Sequence, residues 1–67
     1  MVTGENGFDV RVTEGADGWR VSILNPQGGV VAERACGDRV EARTYASTVR
    51  QHIYWLSAEK FREYYRV

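Results

Sequence analysis

Phe8-Asp9-Val10-Arg11-Val12-Thr13, then Glu14-Gly15-Ala16-Asp17-Gly18, then Trp19-Arg20-Val21-Ser22-Ile23 is the stretch that decides the fold. On both sides of a glycine-flanked break, apolar and polar residues alternate with a period of two, the signature of strands wet on one face and buried on the other. Gly15 and Gly18 can take positive φ, so the chain reverses between the two runs. Phe8, Val10 and Val12 should therefore share one face of a hairpin with Trp19, Val21 and Ile23.

Working outward, Asn25-Pro26-Gln27-Gly28-Gly29 is a second turn, because proline fixes the φ of the second turn position and glycine relieves the chain after it. A third strand follows, bringing the sheet to residues 8–36. Its inward face stays open: Val30, Ala32 and Cys36 form one set, Val31 and Ala35 the other. Asp38, with Glu41 three residues on, matches the spacing of a capping box and predicts a helix from Arg39. Ala42, Tyr45, Ala46, Val49, Ile53 and Leu56 recur at threes and fours and mark its apolar stripe. Ser57-Ala58-Glu59 reads as an N-cap and acidic first turn, which predicts a break near Ser57 and a short second helix. The expected class is α+β: a three-stranded antiparallel sheet, then a packed helix and a short helical segment. One small domain spans 1–67, with 1–6 a loose end and 38–66 helical.

A chain of 67 residues buries only roughly 60% of the surface it exposes when unfolded, so its stability is marginal without reinforcement. Cys36 is the only cysteine and His52 the only histidine. An intrachain disulfide is therefore impossible, and no Cys/His zinc site can be assembled. By elimination the expected reinforcement is a partner surface that completes the core, a second copy of the chain or another protein. Six of the eight aromatic residues fall in the last 23 positions, and Tyr54 and Trp55 point away from the apolar stripe. Tyr54, Trp55, Phe61, Tyr64 and Tyr65 are thus the candidate interface, since such rings bury large area at low entropy cost. The competing reading is that the tail folds back and covers them within the chain.

Nine basic residues balance nine acidic ones, which argues against a generic polyanion binder. The halves differ, however. Residues 34–67 hold seven basic and four acidic side chains, whereas residues 1–33 hold two and five. Arg39, Arg43 and Arg50 fall within roughly 40° of one another on the helix beside the apolar stripe. This ridge supports an alternative role as a small DNA-binding domain, and three strands plus a helix also describes the arm-binding domains of some phage-type integrases.

No catalytic residues are assigned. His52 has no evident orienting carboxylate and is expected to pack or hydrogen-bond locally, and Cys36 is expected to be buried and inert. Gly28-Gly29 sits in a turn with no helix after it, so it is not a phosphate loop. No cofactor and no metal are implied, and a non-enzymatic protein is expected. The N-terminal residues lack a basic region followed by an apolar run, and no stretch could span a bilayer. A cytoplasmic setting is expected, with no membrane partner.

Taken together, Phe8-x-Val10, Gly18-Trp19-Arg20-Val21, Asn25-Pro26-Gln27-Gly28-Gly29-Val30-Val31-Ala32 and the small residues Ala42 and Ala46 resemble the YegP-like repeat of small bacterial proteins. The resemblance covers about residues 8–53. It implies three strands with one helix across them, in units that occur in tandem or in pairs, and it brings no catalytic residues. Residues 54–67 have no counterpart in it.

Overall fold

In the computed structural model, which describes residues 6–67, β1 (Asp9–Gly15), β2 (Gly18–Leu24) and β3 (Val30–Cys36) form an antiparallel sheet in the order β1-β2-β3. The register pairs Val10 with Ile23 and Val12 with Val21, so the two apolar triplets do share a face. Ala16 and Asp17 alone separate the paired Gly15 and Gly18. At the second turn, Gly28 N–H donates to the Asn25 carbonyl at 2.9 Å, and the Asn25 carboxamide oxygen accepts from Gln27 N at 3.0 Å and Gly29 N at 2.8 Å. Gly28 there has φ +88, a conformation that costs a residue with a Cβ.

The inward face of β3 is Ala32, Arg34 and Cys36, opposite Ile23, Val21 and Trp19. Periodicity left this open for two reasons. The register slips between Ile23 and Leu24, so that Leu24 pairs with Val30 and one residue of β3 has no partner, and such a bulge breaks the alternation. The middle inward residue is also an arginine rather than an aliphatic. Glu33 lies on the outer face, where its carboxylate accepts the Ser22 hydroxyl at 3.3 Å.

α1 (Arg39–Trp55) begins where the capping spacing predicts, with the Asp38 carboxylate accepting Glu41 N–H at 2.8 Å. Ala42, Ala46, Val49 and Ile53 are buried against the sheet. The helix stops at Leu56, whose backbone is extended and whose N–H reaches the His52 carbonyl at 2.9 Å. Ser57 then caps α2 (Ala58–Tyr65), its hydroxyl accepting Lys60 N–H at 3.2 Å. The predicted break is in place.

A core is assembled within the chain, and the start of the described chain is tied down. Phe8, Val10, Val21, Ile23, Cys36, the four buried α1 residues and Phe61 form one buried cluster within a single chain, and among the described residues no buried side-chain nitrogen or oxygen lacks a partner. α2 makes this closure, because it brings the Phe61 ring to 4.5 Å from that of Phe8. Residues 1–5 of the expected loose end lie outside the described residues, but Asn6 is not loose. Its carboxamide donates to the Leu56 carbonyl at 3.2 Å and accepts from Phe8 N–H at 2.9 Å, tying the start of β1 to the corner between the helices. Gly7 (φ +87) lies directly against Pro26, and an added Cβ would meet the proline ring at 3.0 Å.

Candidate functional site

The aromatic tail divides into rings the chain uses and rings it leaves outside. Phe61 is fully buried between Phe8 and Tyr65, with centroids at 4.5 Å and 4.6 Å. It is a core residue and not an interface residue, because α2 turns back onto the start of β1 and delivers it there. Tyr65 is half-buried, and its hydroxyl shares a hydrogen bond with His52 Nδ1. Burial, with the nearby Tyr45 and Tyr64 phenols adding to it, pushes the Tyr65 hydroxyl up to about 12; removing the phenolate from water disfavours it. His52 also carries the Tyr64 ring at 4.6 Å. The expected local role of His52 is therefore the one it plays: it clamps α2 to α1.

Three rings of the tail remain outside: Trp55 at 76% exposure, Tyr64 at 63% and Tyr54 at 51%. Tyr54 and Trp55 stand side by side at the end of α1 and border a groove of about 440 Å³ whose other walls are Asn6, Leu56, Ser57 and Ala58. Tyr64 sits apart from them, over His52.

A larger groove, of about 730 Å³, runs between α1 and the hairpin end of β1 and β2. Arg39, Arg43 and Arg50 line it together with Ser47, Val12 and Trp19. The three arginines of the predicted ridge are thus brought together on one wall. All three are exposed, and among the described residues none lies within ion-pair distance of a carboxylate. Trp19 was expected only as a core residue. It is half-buried because it stands at the strand end, facing the groove, and its position opposite Glu14 at the hairpin tip was the signal that could have shown this. Tyr54, four residues beyond Arg50, continues the same stripe at about 60° from Arg39.

Cys36 is buried and forms no disulfide. No group of three His, Cys, Asp or Glu among the described residues could hold a metal ion, and no helix among them is long and apolar enough to cross a membrane. Searches of family models, curated proteins and solved structures find no match to this chain.

Proposed function

We propose that the chain is a non-enzymatic protein-interaction module that pairs with a second copy of itself through the Tyr54–Trp55 corner. One observation carries this reading: Trp55 is 76% exposed beside a half-exposed Tyr54, on a helix whose buried face is already satisfied by the sheet. A large ring left in water is an unclaimed source of association energy, and tryptophan and tyrosine are the residues most often found as anchors of protein interfaces. On a two-fold axis the same corner meets itself, so each Trp55 can cover the groove beside its counterpart. The contrasting charge of the two halves of the chain favours such pairing as well. The relation to the YegP-like family belongs to the same proposal and rests on the turn and core positions quoted above.

Sedimentation velocity across micromolar loadings tests this reading. A concentration-dependent shift to the dimer is expected, and Trp55→Ala should weaken it by about 2 kcal/mol, roughly 30-fold in Kd. A strict monomer at about 100 μM, a concentration that reveals even a Kd of that order, overturns it.

A further inference from the structure

We propose that the groove between α1 and the hairpin end is a binding site for single-stranded nucleic acid, with Arg39, Arg43 and Arg50 contacting phosphates and Trp19 stacking on a base. This site is separate from the aromatic corner and does not depend on it.

The first argument is energetic. Arg39 occupies the first turn of α1, the positive end of the helix dipole, where a cation is disfavoured. Arg43 lies one turn further on the same flank, and like charges four residues apart repel. Among the described residues no carboxylate relieves either charge within ion-pair distance, and Glu14, which shares this face of the sheet through its pairing with Trp19, stays outside that distance. The arrangement opposes the stability of the helix that carries it, which is the mark of a side-chain set aimed at something outside the chain. Guanidinium groups suit phosphate in particular, because their planar fork makes two parallel hydrogen bonds to it.

The second argument is dimensional. From Arg39 to Arg50 the ridge extends about 16 Å along the helix axis, with its members roughly 6 Å and 10 Å apart. One phosphate cannot reach all three, so the matching ligand is an extended polyanion.

The third argument concerns the Trp19 ring, the aromatic side chain that lines the groove beside the arginines. A basic track with an aromatic face beside it is how strands are held without sequence preference, because every base has a face to stack. A duplex keeps those faces hidden. The sheet's outer face, with Asp9 and Glu33 set among Arg11 and Arg20, presents mixed charge and no aromatic ring.

The test uses the full chain and a fluorescein-labelled oligothymidylate of about 16 nucleotides, within the range one small domain covers. With three phosphate contacts, affinity should fall roughly 20-fold between about 50 and 200 mM salt. For Arg39→Ala, Arg43→Ala or Arg50→Ala that fall should shrink to about sevenfold, reflecting one contact fewer. Thermal melts confirm that these exposed-site variants are folded. In a Trp55→Phe background, the emission of the remaining Trp19 should be quenched by the oligonucleotide. Absence of binding at about 50 mM salt overturns the proposal, since that condition is where phosphate contacts are strongest. So does equal or tighter binding of a duplex of the same length, full displacement by inorganic tripolyphosphate at matched phosphate concentration, or an equal loss in the outer-face variant Arg11→Ala/Arg20→Ala.

Discussion

The two flanks of α1 are built from similar residues and end in opposite states. On the β3 side, the Arg34 guanidinium lies 4.7 Å from the centroid of the Tyr45 ring, and His52 is held by Tyr64 and Tyr65. On the β1 side, Arg39, Arg43 and Arg50 line an open groove with Trp19, and Tyr54 projects beyond them. The closed flank gets its partners from distant parts of the chain, one from β3 and two from α2. The open flank faces the end of a hairpin that offers an indole and a valine but no paired acid. Cations and rings are structural where a second element crosses over them, and they stay exposed where none does.

The largest test of this contrast is Phe61→Ala. Removing a fully buried phenyl ring is expected to cost about 3–5 kcal/mol, a large share of the stability of so small a domain. Phe61 is also the pin that seats α2, so its loss should release Tyr65 from His52 and turn the closed flank into a second open one. Urea unfolding measures the cost, and the His52 imidazole resonances report the release. A cost below about 1 kcal/mol would mean that α2 is held by something other than its buried ring.

A smaller effect is expected at Tyr65 itself. Tyr65→Phe removes one hydrogen bond while keeping the ring, for a loss of about 1 kcal/mol. The same residue should give the wild type an alkaline sensitivity. Its hydroxyl is raised from 10.0 to about 12 in the fold by burial first and by Tyr45 and Tyr64 second. Its contribution is therefore complete below pH 10.0 and is lost as pH rises towards about 12, because the unfolded chain ionises first. Melts in this window should show a steeper decline for the wild type than for Tyr65→Phe.

The hairpin, the capped start of α1 and the break at Ser57 were legible because each depends on residues close in sequence: an alternation, a carboxylate three residues before an N–H, a hydroxyl at the head of an acidic turn. The ridge was legible too, since Arg39, Arg43 and Arg50 share one rigid helix. What failed depends on long-range geometry. The burial of Phe61 follows from where α2 points after the corner, and that direction is set by Phe8, more than fifty positions earlier, and by the bond from Asn6 to Leu56. Likewise, Trp19 is an inward residue by alternation. Whether an inward residue is covered depends on how far α1 extends over the sheet, and no local pattern records that.

The finest test compares two arginines on opposite flanks. Arg34→Ala removes a cation from the face of Tyr45 and should cost about 0.5–1 kcal/mol, the usual worth of such a contact near the surface. Arg43→Ala removes a cation that repels Arg39 one turn away, so it should leave stability within about 0.5 kcal/mol and shift it, if at all, upward. Salt separates the two mechanisms. The Arg43 gain comes from repulsion between exposed charges and should vanish once the screening length falls to about 3 Å in 1 M salt. The Arg34 loss, which includes contact between the guanidinium and the ring, should persist. Equal losses in the two variants at both salt concentrations would mean that the β1-side arginines are held by partners within the chain, and the contrast between the flanks would then collapse.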